Sequence, residues 1–376
     1  MSSTPDPPPN PRNEEATGQS GGKRGRARAE RRHVLRRQRL LALGAVALVL
    51  VTFASIILGT ITPGSQRHSG QDDHSTQSKT QTPAARSRPP SSFAVGLRVV
   101  RLVDNSRTIT LADGRTEPRT LLTYVRYPAT GPTGATDVSN APAASTDGPF
   151  PLVVFGHGYA LTPAAYAALL QSWARAGYVV AAPLFPLENA NAPGGPDESD
   201  LSNQPGDMRF VISEMLAMSH ARSGPLAGLI DERKIAVTGH SDGGDTALAV
   251  AYDRAYRDPR VGAAIILSGA EMPGVEAFTF PFGGPPLLAI QGTADTVNLP
   301  SATETFFREA RPPKYLLRLP GAEHLPPYSV EQPQLGIVER VTIAFLNGYL
   351  KQKPNASQEL VRLGSVPQIA SMVAHP

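Results

Sequence analysis

Beyond residue 92 the chain alternates short apolar runs with stretches of helical period, the pattern produced by a mostly parallel sheet covered by helices. Strand-like runs occupy 98–104, 120–127, 152–155, 178–183, 234–238, 263–267, 287–290 and 315–319. The first two are expected to pair antiparallel at a sheet edge. Thr162 and Pro163 read as N-cap and first helical residue of a helix over 164–176 that stops at Gly177. A second helix is predicted over 208–218 and a third from Thr246. Ser301 and Glu304 have capping-box spacing at the head of a fourth, and 338–350 forms a closing helix. The fold class this predicts is α/β, with helices on both faces of the sheet. Two stretches fit no element: 129–148 reads as a surface loop, and 185–207 is longer than a connector needs to be, which marks it as functional.

The first 92 residues follow a different pattern. Residues 40–61 carry no charge and only Thr52, Ser55 and Thr60 as polar members, and as a helix they cover a hydrocarbon core of about 30 Å. Nine Lys and Arg lie between Lys23 and Arg39, against the single acid Glu30. That flank holds the N-terminus in the cytoplasm. A cleaved signal peptide fits less well, because its apolar core is shorter and 61–65 is a poor cleavage site. The chain is therefore expected to comprise a basic disordered cytoplasmic tail (1–39), a transmembrane helix (40–61), a disordered linker (62–92), a catalytic domain (93–352) and a weakly structured C-terminal tail (353–376). This order puts the catalytic domain outside a cell membrane crossed once.

Charge sharpens that division. The net charge is +4, but 14 Lys and Arg against 6 Asp and Glu fall before residue 93, leaving 22 against 26 beyond it. The folded portion is thus slightly acidic and has no electrostatic footprint for nucleic acid. With no cysteine in the chain, disulfides and thiolate metal sites are excluded.

Candidate chemistry centres on Gly239-His240-Ser241-Asp242-Gly243-Gly244, set between a predicted strand and a predicted helix. A G-x-S-x-G turn forces its serine into a tight strand-to-helix corner and projects the hydroxyl above the sheet. A serine hydroxyl needs a base, an acid to orient the base, and donors for the oxyanion. In such a hydrolase the acid and the histidine follow the serine in that order. Of eight histidines only His324 and His375 come after Ser241, and His375 lies in the expected tail. His324 follows the last strand and is the candidate base; Asp295 follows the strand 287–290 and is the candidate acid, with Glu271 as alternative. The backbone N–H groups of Tyr159, after Gly156-His157-Gly158, and of Asp242 are the candidate oxyanion donors. His157 and His240 are read as packing residues. Tyr159, Leu187 and Met272 are candidate substrate contacts, and Phe278, Phe280 and Phe282 could equally line an acyl pocket or fill the core. Asp197, Glu198 and Asp200 read as a solvated loop before they read as a cation site. No metal or cofactor is expected.

These segments resemble those of the α/β-hydrolase esterases, within them the group of dienelactone hydrolases, chlorophyllases and platelet-activating-factor acetylhydrolases. The resemblance runs from Arg119 to Leu350. It rests on Thr120-Leu-Leu-Thr-Tyr-Val-Arg-Tyr-Pro-Ala, Pro151-Leu-Val-Val-Phe-Gly-His-Gly-Tyr, Tyr178-Val-Val-Ala-Ala-Pro, Asn203-Gln-Pro-Gly-Asp, the elbow, Gly292-Thr-Ala-Asp and Gly321-Ala-Glu-His. It implies a Ser241, Asp295, His324 triad acting on a small-molecule ester. Asp242 and the lack of cysteine depart from the polyester-degrading relatives, which often carry Met after the serine and a disulfide. A thioesterase, acyltransferase or serine peptidase would use the same triad, and a catalytically silent binding domain could keep the fold.

Overall fold

In the computed structural model, residues 92–272 and 278–376 are described. The expected tail (1–39), transmembrane helix (40–61) and all but the last residue of the linker (62–92) lie outside them. Among the described residues no helix is long and apolar enough to cross a membrane.

Ten strands form one sheet. β1 (Ala94–Thr110) and β2 (Thr116–Ala129) make a long antiparallel hairpin, β3 (Val138–Ser139) adds two residues at the edge, and β4 (Phe150–Gly156) enters the centre. A short 3-10 turn leads into α1 (Ala167–Arg175), followed by β5 (Val179–Leu184), α2 (Gln204–His220), β6 (Ile230–His240), α3 (Asp242–Tyr252), β7 (Val261–Leu267) and β8 (Leu287–Gly292). The chain finishes with α4 (Pro300–Glu309), β9 (Lys314–Leu319), the single turn α5 (Pro326–Ser329), α6 (Gln334–Tyr349), α7 (Ala356–Gly364) and β10 (Ser371–His375). The sheet order is β10-β9-β8-β7-β6-β4-β5-β2-β1-β3. β5, β4, β6, β7, β8 and β9 run parallel; β2 and β10 join that block antiparallel.

The parallel strands are apolar almost throughout because both faces are covered. On one face α1 packs on α6, where the Trp173 indole N–H donates to Thr342 Oγ1 at 2.8 Å. On the other face α2 packs on α3, where Thr246 Oγ1 donates to Gln204 Oε1 at 2.9 Å. The connection from β4 to β5 runs one way along the sheet, and β6 returns to the other side of β4. Ligands of open α/β sheets bind at such a reversal, outside the carboxyl ends of the two strands. The register pairs Gly156 of β4 with Gly239 of β6, so the loops carrying Tyr159 and Ser241 leave the sheet side by side.

Three sequence expectations need correction. Ser301 does not cap α4: Pro300 is its first residue, Leu299 occupies the N-cap position, and no side chain caps the end. Pro at the first position supplies the start that the capping box was expected to give. The C-terminal segment, expected to be a weakly structured tail, forms α7 and β10. Leu360 of α7 is fully buried, and β10 pairs with β9 from Ser371–Arg318 to His375–Lys314. A five-residue edge strand buries only one face in part, so it leaves no apolar run to read. His375 is thereby an edge-strand residue, its ring 6.1 Å from that of Phe307.

Candidate active site

Ser241 sits between β6 and α3 with φ 54° and ψ −125°, a conformation that costs a residue with a Cβ and persists only where its surroundings fix it. The fixing is done by close approach. A Cβ on Gly239 would overlap the Gly243 carbonyl, and one on Gly243 would overlap the Gly156 carbonyl, so glycine is the only residue that lets α3 start this near β4 and β6. Ser241 N donates to Leu267 O at 3.0 Å, and Ser241 O accepts from Asp245 N at 2.9 Å. The serine is 6 % exposed.

Asp295 and His324 come together from the turns after β8 and β9. Ala294 N donates to Ala322 O at 3.0 Å, Gly321 N donates to Thr293 Oγ1 at 2.9 Å, and any Cβ at Gly292 would collide with Ala322. The two turns are thus stapled, and His324 Nδ1 meets Asp295 Oδ2 at 2.8 Å. Since the carboxylate can only accept, Nδ1 carries the proton and Nε2 the lone pair. Among the described residues the buried Nε2 has no hydrogen-bond partner. Burial pushes the Asp295 carboxyl upward, but the hydrogen bonds from His324 and the Val297 N–H outweigh it and hold the group below the usual range. Val297 N and Asn298 N both donate to Oδ1, and Gln291 Nε2 donates to Oδ2. Behind them Asn298 Nδ2 is held by Ser268 O, and Ser268 Oγ meets the Tyr328 hydroxyl at 2.9 Å. Glu271, the alternative acid, is half-buried, and burial raises its carboxyl.

His240 connects this pair to the opposite loop. Gly158 N donates to the Tyr166 hydroxyl at 3.2 Å. His240 Nε2 lies 2.8 Å from His324 O, a carbonyl that can only accept, so Nε2 holds the proton of the neutral ring and Nδ1 accepts from the Tyr166 hydroxyl, also at 2.8 Å. Full burial, first of all, lowers His240 to about 3, so the ring is neutral and this tautomer is fixed by its neighbours. His157 is equally buried and neutral, lowered to about 4 by desolvation, and accepts Phe185 N on Nε2 at 3.0 Å. Both rings are fully buried and hydrogen-bonded within the fold.

Gly158 approaches the nucleophile closely: a Cβ there would lie 3.1 Å from Ser241 Cβ. The amides of Tyr159 and Asp242 follow on the two adjoining loops, and neither meets an acceptor among the described residues. Tyr159 and Leu187 are half-buried on neighbouring loops, because Ala160 N donates to Glu188 O at 2.9 Å. Met272 follows β7, is 3 % exposed and packs in the hydrophobic core.

Of the two readings open for the phenylalanines, core packing holds for Phe278 and Phe280, and neither holds for Phe282. Phe280 packs 4.9 Å from Tyr252 at the far end of α3, with Phe278 beside it, while the 85 %-exposed Phe282 ring lies 4.4 Å under the Arg311 guanidinium just before β9. Both locations belong to the amino edge of the parallel strands, away from Ser241. Asp200 is a correction. It is buried in a two-pronged bond with Arg119, whose guanidinium also grips Asp207, so the cation beside this acid is an internal arginine. Asp197 caps the following 3-10 turn through Ser199 N. Among the described residues no group of three or more His, Asp or Glu side chains could hold a metal.

Tyr166 and Glu188 were missed from the sequence. Neither lies in a motif, and only the folded loops bring them to the elbow.

A mixed sheet with this order, a strained serine after β6 and an Asp–His pair after β8 and β9 have the architecture of the α/β-hydrolase fold. Comparison with known proteins agrees. Residues 140–270 match the Chlorophyllase family model. The solved ferulic acid esterase from Streptomyces cinnamoneus superposes with a TM-score of 0.55 at 22 % identity, covering 72 % of this chain and 94 % of that one. Among curated proteins no sequence matches. Together the family match and the shared fold support a carboxylic ester hydrolase.

Proposed function

We propose that this chain is a membrane-anchored serine hydrolase that cleaves carboxylic esters through Ser241, His324 and Asp295 by way of an acyl-enzyme. The observation that carries the reading is the His324–Asp295 hydrogen bond, which leaves Nε2 as a lone-pair base beside the elbow. In this reading Nε2 takes the Ser241 proton as Oγ attacks the ester carbonyl, and the Tyr159 and Asp242 amides hold the oxyanion. His324 then protonates the leaving alcohol, and a water activated by the same nitrogen releases the acid. Asp295 holds the imidazole in its tautomer and stabilises the imidazolium. Tyr159 and Leu187, half-buried on neighbouring loops, contact the substrate, whereas Met272 lies in the hydrophobic core.

The test is hydrolysis of p-nitrophenyl acetate through butyrate by the full chain and by Ser241→Ala. Turnover is expected to vanish in the variant, with fluorophosphonate labelling lost at Ser241; equal rates for the two proteins would leave a binding domain instead. A leaving-group profile separates oxygen esters from thioesters and amides. For residues 40–61, the apolar run and its basic flank support a single-pass anchor with the catalytic domain outside the cell. Protease added to intact cells is expected to remove the domain and spare the tail.

A further inference from the structure

β8 reads Leu-Leu-Ala-Ile-Gln-Gly, and every one of its residues is buried. Gln291 is its only polar side chain, 2 % exposed, at a position where an apolar residue would continue the strand. A buried amide is costly unless its donors and its acceptor are used, and this one uses them around the catalytic acid. Nε2 lies 3.0 Å from Gly292 O, 3.1 Å from Asn298 O and 3.1 Å from Asp295 Oδ2. All three can only accept, since the Asp295 carboxyl is held low, so the nitrogen faces them and the orientation of the amide is fixed. At its other end Oε1 accepts from Thr303 Oγ1 at 2.7 Å, and the same hydroxyl lies 3.1 Å from Gly269 O. Thr303 is fully buried in the first turn of α4.

The amide thus fills the inside of the turn that carries Asp295 and ties both of its ends to the carboxylate. Its bond falls on Oδ2, the oxygen that meets His324 Nδ1, whereas the two backbone amides hold Oδ1. Anchored at Oδ1 alone, the carboxylate could swing Oδ2 off the imidazole; the bond from Gln291 fixes the second oxygen.

We propose that Gln291, held in turn by Thr303, is a positioning residue of the triad: it aims Asp295 Oδ2 at His324 and acts on the chemical step without touching substrate. The inference rests on the triad reading and deepens it. The imidazolium forms only during reaction, so the aim of the carboxylate is felt in kcat and not in substrate binding.

The experiment measures kcat and KM for p-nitrophenyl butyrate with the full chain, each variant first shown to be folded by circular dichroism and thermal unfolding. Gln291→Met keeps the length and loses the donor, and kcat is expected to fall roughly tenfold with KM within about twofold. Thr303→Val keeps the shape and loses the hydroxyl, so kcat is expected to fall roughly threefold, and Thr303→Ser, which restores the hydroxyl, to recover most of that loss. In the Gln291→Met background Thr303→Val is expected to change kcat no further, because its hydroxyl works through the amide. Should Gln291→Met fail to fold, the Thr303→Val and Thr303→Ser pair decides by itself. An unchanged kcat in folded Gln291→Met or Thr303→Val, a loss carried by KM, or a loss in Thr303→Val that Thr303→Ser does not recover overturns the positioning role while leaving the esterase reading intact. Effects that add in the double variant overturn the link from Thr303 through Gln291. No turnover of any ester by the wild type, or turnover that survives Ser241→Ala, overturns the triad reading and this role with it.

Discussion

Asp295 and Glu188 are carboxyl groups on loops at the same sheet edge, 2 % and 0 % exposed. Asp295 accepts from His324 Nδ1, Gln291 Nε2 and two backbone amides, and its carboxyl is held low. Glu188 faces Asp242; burial first, and then that neighbouring acid, push its carboxyl well up. Equal burial therefore produces an ion in one place and a neutral acid in the other, and the difference is the set of donors each loop supplies. The third arrangement is Arg119, whose guanidinium is pulled down by burial but raised more by Asp207 and Asp200; it holds both acids in buried ion pairs, although burial still leaves the Asp207 carboxyl raised. Donors thus decide what a buried acid can do: orient a base, pin a loop, or hold a proton.

The largest effect should come from removing the charge that Asp295 keeps. Asp295→Asn retains the shape but lets the wrong imidazole tautomer form, and kcat is expected to fall roughly a thousandfold or more. Steady-state hydrolysis checks this. The lowered carboxyl also contributes stability that is present above the ordinary Asp range and lost as the pH falls through the folded-state value. Next comes Arg119→Met, which leaves Asp200 and Asp207 buried without their cation. Breaking such a pair from one side costs about 3–5 kcal/mol, read by denaturant unfolding. A loss below about 1 kcal/mol would mean that water replaces the guanidinium, and that the loop is not pinned by this network.

How much of this was legible before folding follows from the range of each interaction. The parallel strands were readable because burial on both faces makes each one an apolar run, and Ser241, Asp295 and His324 were nameable because turn chemistry and chain order constrain them locally. Boundaries were less so: β1 and β2 extend well past the apolar cores at 98–104 and 120–127, since hairpin pairing carries polar residues along. The pairing of Arg119 with Asp200 and Asp207, 81 and 88 positions away, leaves no trace in sequence spacing. The same holds for Tyr166 and His240, 74 apart. Phe282 fits neither the pocket nor the core reading, because the chain has already returned to the opposite edge and the ring lies exposed against Arg311.

Tyr166 tests whether the two halves of the site communicate. Its hydroxyl passes a hydrogen bond from the Gly158 amide through His240 to the His324 carbonyl, so Tyr166→Phe orphans a buried N–H beside the oxyanion loop. That loss is worth about 1–2 kcal/mol, and if it is felt in the transition state kcat should fall roughly tenfold with KM little changed. An equal loss of stability with kcat intact would make the relay a purely structural tie.

The smallest effect, and the one that most sharpens the contrast with Asp295, belongs to Glu188→Gln. Glutamine is close in shape to a protonated glutamic acid, so below the ordinary Glu range, where both folded and unfolded wild type hold the proton, the two proteins should unfold within about 0.5 kcal/mol of each other. Above that range the unfolded wild type ionises at Glu188 while the folded protein keeps its proton, because burial and Asp242 raise the carboxyl. The folded state then binds more protons than the unfolded one, so stability declines as the pH rises toward the folded-state value. Glutamine removes that decline. The variant should become the more stable protein on going from acid to neutral pH, the opposite sign to the pH dependence that Asp295 contributes. Unfolding curves measured across that interval decide it: parallel curves would mean that Glu188 is ionised in the folded protein, with a donor that offsets both its burial and Asp242.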